Sequence, residues 1–168
     1  MSRTGINEVN NITDPLLAHQ FDLFITNMPV GDSRALATQV ETAQWPGYGN
    51  EPVLVRLHGI TKPFAGAGVY DHDWSATFLE TRSLLVRDSI LAWLEYIRSV
   101  RNTTGAYNID YAGIADLVMY DDRNNAIRTT RMFGFYPEKL DMVPLSGEQG
   151  SETIKFSVQF KLFYFTDL

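Results

Sequence analysis

Between Thr153 and Tyr164 the chain alternates almost without interruption. Ile154, Phe156, Val158, Phe160, Leu162 and Tyr164 fall on one side, and Thr153, Lys155, Ser157, Gln159 and Lys161 on the other. A period of two excludes a helix and predicts a strand with one buried and one wet face. Such a strand needs neighbours on its edges and a second apolar layer against its buried face. It commits the domain to antiparallel sheet packed on something else.

Other segments repeat the pattern. Residues 18–27 (AHQFDLFITN) place Phe21, Leu23 and Ile25 on one face, and a turn cluster follows at Asn27–Asp32. Residues 35–44 read as a second, more polar strand, with Leu36, Thr38, Val40 and Thr42 opposing a face that carries Gln39 and Glu41. Residues 72–80 (HDWSATFLE) alternate His72, Trp74, Ala76 and Phe78 against Asp73, Ser75 and Thr77. Two further strands, 112–120 and 126–136, flank Asp121–Asn125, whose residues tolerate a tight reversal. One helix interrupts the series. Val86, Ile90, Trp93, Leu94 and Ile97 recur at spacings of three and four within 84–100. Thr81 or Ser83 is expected to cap its start, and Arg98 and Arg101 sit near its end, where positive charge suits the helix dipole.

Two stretches fit neither period. Residues 45–70 hold a Trp45–Asn50 breaker cluster, the β-branched run PVLVRL and a Gly-rich return, and read as a long hairpin-like excursion. An excursion of that length in a small domain usually has a function. Residues 137–150 read as a polar connection. The fold class is therefore mainly β (α+β): two packed antiparallel sheets, a β-sandwich or barrel, flanked by one α-helix. Residues 1–17 form a polar N-terminal arm and 18–168 a single domain.

Composition narrows the function. The 168 residues suit one domain, and with no cysteine there is no disulfide framework, thiolate metal site or cysteine nucleophile. A net charge of -6 argues against a protein that grips nucleic acid by its phosphates. No apolar run is long enough to span a bilayer as a helix. Met1 to Pro15 lacks the basic-then-apolar order of a signal peptide, so the expected location is the cytoplasm or a particle assembled there.

Catalytic constellations are poor. Asp71, His72 and Asp73 alternate along a strand, so only the two carboxylates share a side. Gly66-Ala67-Gly68 lacks the third glycine of a dinucleotide fingerprint and precedes a strand. We expect no catalytic residue, no cofactor and no metal. A small β-barrel enzyme or ligand-binding protein using Asp71, His72 and Asp73 is the alternative outside assembly. The chain end is apolar on both faces, because Phe163 and Phe165 fall where polar residues are expected. They are candidates for an edge covered by another subunit.

The order of these features resembles the tail tube proteins of contractile-tailed bacteriophages, which are related to type VI secretion inner-tube proteins. The resemblance is carried by HQFDLFI, VETAQWPGYG, PVLVRLHGITKPFAGAGVYD, YDHDWSATFLE, the helix with its central Trp93, and RMFGFYPEKL leading to the final strand. It implies a structural subunit of hexameric rings that stack helically into a rigid tube conducting genomic DNA during ejection. The implied partners are further copies of the chain, a sheath protein, baseplate and tail-terminator proteins, a tape-measure protein in the lumen, and DNA that passes without specific binding; no membrane is involved. The implied location is the virion tail, assembled in the bacterial cytoplasm. A tube-initiating baseplate protein and the inner tube of a contractile secretion or injection system share this pattern. By the same analogy residues 35–44, 112–120, 126–135 and part of 52–58 line the lumen, with Gln39, Glu41 and Asp116 as lumen-facing candidates. Trp45, Pro46, Tyr48, Pro63, Phe64 and Tyr70 are then inter-ring candidates. Arg128 and Arg131 are departures if they face inward; the alternative is that they pair with acids across a subunit contact.

Overall fold

The computed structural model describes residues 20–143, 145 and 153–168, and these fold as nine strands and three helices. The expected arm at 1–17 lies outside the described residues. The elements are β1 (Phe21–Thr26), α1 (Ser33–Gln39), β2 (Val40–Ala43), β3 (Tyr48–Leu57), β4 (Ile60–Tyr70), β5 (Asp73–Leu79), α2 (Leu85–Ile97), α3 (Asn108–Tyr111), β6 (Gly113–Tyr120), β7 (Ala126–Leu140), β8 (Lys155–Lys161) and β9 (Tyr164–Asp167).

The main sheet runs in the order β1-β6-β7-β8-β5-β2, entirely antiparallel, with β9 also on β7. β7 is the long strand that serves two layers. Its first half pairs with β6 on one side and β9 on the other. Its second half pairs with β8. The layer β1-β6-β7-β9 therefore folds over the layer β7-β8-β5-β2, and their facing sides make the core. Leu23, Ile25, Ala115, Leu117 and Met132 come from the first layer, and Trp74, Ala76, Phe78, Phe156, Val158 and Phe160 from the second. α2 closes the core with Val86, Ile90 and Trp93, all fully buried, each contributing about 1.5–3 kcal/mol of apolar burial.

The bend between layers is made by one extra residue in each of two neighbouring strands. In β7, Met132 and Phe135 are both buried, so Gly134 breaks the alternation. The pairing with β6 skips it: Ile114 opposes Phe133 and Gly113 opposes Phe135. Gly134 has φ +65°, and a Cβ there would sit 2.9 Å from the Phe163 Cβ. Phe163 is the matching extra residue between β8 and β9, and its N–H donates to the Phe133 carbonyl at 2.8 Å. Paired insertions of this kind are how strands turn a corner and switch sheets.

Several expectations need correction. The terminal strand is two strands, because the insertion at Phe163 reverses the facing beyond it. Tyr164 then stacks on Phe133 on the open side, and Phe165 packs on the core. Residues 33–39 are helical where a polar strand was expected; only Val40–Ala43 is extended. Asp32 caps α1 by accepting from the Arg34 and Ala35 amides at 3.0 and 3.2 Å, and buried Leu36 faces the core. Neither Thr81 nor Ser83 caps α2; their hydroxyls bond each other, and the Glu80 carboxylate accepts from the Arg87 amide at 2.8 Å. α3 was not expected. Its Tyr111 carbonyl accepts from the Trp93 indole at 2.9 Å, so the buried ring keeps a polar partner.

The corner predicts a stability difference between glycines. Gly134→Ala should destabilise the fold by at least about 1–2 kcal/mol, from left-handed backbone strain alone. Gly49→Ala, where an added Cβ meets nothing within 4 Å, should stay within about 0.5 kcal/mol of the parent. Urea denaturation of both variants checks this; equal midpoints would mean the corner does not need its glycine.

Candidate assembly surfaces

The layer β1-β6-β7-β9 has one side in the core and one side open. Its cross-strand register sets three rows on the open side. Asp22 opposes Val118 and then Thr129; Phe24 opposes Asp116, Arg131 and Thr166; Thr26 opposes Ile114, Phe133 and Tyr164. The central row holds an ion pair. Arg131 Nε and Nη2 donate to the two Asp116 carboxylate oxygens at 2.7 and 2.9 Å, and this hydrogen bond holds the guanidinium above its ordinary pKa. Beside the first row, burial and then the hydrogen bond to Asp22 push the Tyr120 hydroxyl above its ordinary value. Arg131 thus finds its acid within the chain, and so does Arg128, which lies 3.6 Å from Asp167. Pairing across a subunit contact is not needed for either.

The lumen candidates are not brought together. Asp116 lies in β6, whereas Gln39 ends α1 and Glu41 lies in β2, with β7, β8 and β5 between. Glu41 accepts a hydrogen bond from Lys155. Residues 52–58 stand in the β3–β4 hairpin, a separate two-stranded sheet.

That hairpin is an arm. Every residue of β3 is exposed, and in β4 only Gly66 and Tyr70 are partly covered. The two strands pair from Tyr48–Tyr70 out to Leu57–Ile60 around the His58-Gly59 turn, so one face shows the pairs Val53–Phe64, Val55–Lys62 and Leu57–Ile60. Leu57 and Ile60 are 66% and 73% exposed, which no monomer fold requires. A bare two-stranded hairpin is marginal in water. Of the inter-ring candidates, Trp45, Tyr48, Pro63 and Phe64 are exposed, Pro46 is buried, and Tyr70 is half-buried at the root. There Tyr70 meets Tyr48, Tyr164 and Phe165 at centroid distances of 5.1, 6.5 and 5.3 Å. Val53, Leu57 and Ile60 are exposed on the same arm and were not among the candidates; the apolar run PVLVRL is the signal for the first two.

Three edges of the main sheet are open among the described residues: β1 pairs only with β6, β2 only with β5, and β9 only with β7. Phe163 at the corner is 68% exposed. Phe165, the other edge candidate, is turned toward the core. The residues once considered for catalysis have structural partners. His72 Nδ1 is 2.9 Å from the Leu162 carbonyl, Asp71 accepts from the Asp73 amide at 3.2 Å, and Lys161 pairs with Asp73, which raises the pKa of the lysine.

Residues 11–166 match the family described as phage tail tube protein. The chain belongs to this family. As a tail tube protein it is a structural subunit and not an enzyme, and a component of the virion tail. No curated protein sequence matches it. Its fold is shared with solved structures of low identity. A chain of the PVC sheath-tube complex, an extracellular contractile injection system in its extended state, aligns with a TM-score of 0.62 at 9% identity over 99% of each chain. A chain of the tube-terminating cap of the anti-feeding prophage gives 0.67 at 9% identity, over 94% of this chain and 93% of that one. The SPP1 tail tube gives 0.54 at 12% identity, over 91% and 78%.

The bidentate pair of this tail tube protein predicts non-additive stability. Asp116 is only 16% exposed at its side chain, so removing Arg131 strands a mostly buried carboxylate. Arg131→Met and Asp116→Leu should each lower the melting temperature, and the double variant should recover part of the loss. Additive losses in thermal unfolding would mean the pair is a surface contact of no consequence.

Proposed function

We propose that this chain forms hexameric rings that stack helically into the rigid tube of a contractile tail, and that genomic DNA passes through the tube during ejection. The observation that carries the reading is the free arm. Among the described residues it holds the largest set of exposed apolar side chains, and beyond its root no other element covers it. The fold likeness to chains of contractile injection systems supports the contractile setting, and the family match favours the phage tail over an injection system.

In this reading the layer β1-β6-β7-β9 joins its copies edge to edge, so that its open face becomes the lumen wall. Closure would satisfy the backbone groups that β1 leaves unpaired. Asp116 then faces the lumen with Arg131 already engaged, and Asp22 adds acid, so the wall offers phosphates little to hold. Gln39 and Glu41 belong to the other layer and are assigned away from the lumen. The arm, with Trp45, Tyr48, Pro63 and Phe64, reaches the next ring. A sheath protein would cover the outside, baseplate and terminator proteins would meet the two ends, and a tape-measure protein would occupy the lumen before DNA. Assembly would take place in the host cytoplasm, and residues 1–17 would add contacts as an arm separate from the 18–168 domain.

Electron microscopy of concentrated protein should show rings and tubes. Replacing Val53–Phe64 by an Asn-Gly turn should leave the far-ultraviolet circular dichroism β-rich and abolish tubes while rings persist. A parent protein that stays monomeric under all conditions overturns the tube reading, and normal tubes from the shortened variant overturn the role of the arm.

A further inference from the structure

We propose that the arm of one copy docks into an apolar groove at the opposite end of another copy, so that each subunit carries both halves of the axial joint. This rests on the tube reading above and names the surface that receives the arm.

The groove, about 770 Å³, lies between α2 and the ends of β7 and β8. Leu84, Leu91, Leu94, Leu140, Met142 and Ile154 line it. Leu84, Leu91 and Ile154 are between 36% and 48% exposed, so among the described residues nothing seals the apolar floor. Its size suits a few aliphatic side chains, and the arm offers a strip of them in Val53, Leu57, Ile60 and Phe64.

Three observations select the arm as the occupant. The first is placement. β4 leads into the start of β5, and the groove begins at Glu80, just past the end of β5. Root and groove are therefore separated by the length of β5, roughly 23 Å at the usual rise per residue. The arm leaves from one end of the domain and the groove opens near the other. Such a plug and socket form a head-to-tail contact, which repeats along an axis instead of closing into a pair. The second is reach. Ten residues of β3 span about 33 Å, so the apolar tip of the arm stands well away from its root. The third is charge. Beyond Glu51 the arm carries Arg56 and Lys62 and no acid. The groove is lined by Glu80, Glu138 and Asp141 against Arg87 and Lys139, a single acid in excess.

The chain has no cysteine, so a single introduced thiol is a unique label. Leu91→Cys carrying a benzophenone maleimide is irradiated in assembled tubes, and the cross-linked peptides are mapped. The expected product joins residue 91 of one copy to 53–64 of another. In parallel, Ile60→Asp and Leu91→Asp should each lower the yield of tubes at least tenfold while rings and melting temperature are retained. A cross-link confined to another segment, such as residues 1–19, overturns the inference and leaves the tube reading standing; so does the absence of any cross-link in intact tubes. Normal tubes from Leu91→Asp overturn it likewise. If Leu91→Asp fails to fold, the cross-link decides. A parent protein that builds no tubes defeats the tube reading, and this inference with it.

Discussion

One inserted residue in each of two adjacent strands organises this domain. Without Gly134 and Phe163, β7 and the β8–β9 segment would run straight, and their apolar sides would stay on one sheet. With the insertions, the same strands present Met132 and Phe165 to the core from one layer and Phe135 and Phe160 from the other. The Phe135 and Phe160 rings stack at 4.5 Å, with Trp74 at 5.4 and 5.6 Å from them. The core is centred where the chain turns, so corner and core stabilise each other. Glycine takes the left-handed backbone at position 134 with little steric cost, and the aromatic core then packs beside the corner.

The corner also sets the direction of the arm. β9 begins just after Phe163, and Tyr70 at the arm's root lies against Tyr164 and Phe165 of β9. Tyr48 crosses Gly68, where any Cβ would collide with its hydroxyl, so the two strands of the arm lock at the base. The Gly47 carbonyl accepts from the Asp71 amide at 3.1 Å and closes that base. The arm is thus braced at its root although bare along its length. A rigid projection loses less entropy on docking than a loose loop of the same size. Because β9 belongs to the layer proposed to close the ring, ring closure and axial contact share one structural element.

Most of this was legible in the sequence where one periodicity acted alone. β1, β5, β6 and α2 fall where alternation or three-four spacing placed them, because each has one buried face. The excursion at 45–70 was legible from its Gly and Pro punctuation. α1 was not, since Leu36 and Val40 satisfy both a strand and a one-turn helical spacing. The discriminating signal was Asp32, a capping residue just before the run. The final strand misled for a related reason: adjacent Leu162 and Phe163 are both apolar, which marks a break in alternation, yet the pattern resumes after it. The facing of Phe165 depended on that single residue. The separation of Glu41 from Asp116 was beyond reach, because strand order is a tertiary fact that local pattern does not encode.

The net charge of -6 gains meaning only through its placement. Basic side chains of β7 and β8 are tied up by pairs across the sheet: Arg131 with Asp116, Arg128 with Asp167, Lys155 with Glu41, Lys161 with Asp73 and Glu138. A paired arginine is a poor phosphate ligand, because capture by DNA would strand its carboxylate beside a polyanion. If the open face of β1-β6-β7-β9 lines a lumen, Arg131 therefore does not counter the passage of DNA. Its role there is to let Asp116 sit mostly buried in a sheet without an uncompensated charge. Slipperiness toward nucleic acid and stability of the wall then come from the same ion pair. A wall built only of acids would achieve the first at the expense of the second, because identical carboxylates from neighbouring copies would repel across the ring.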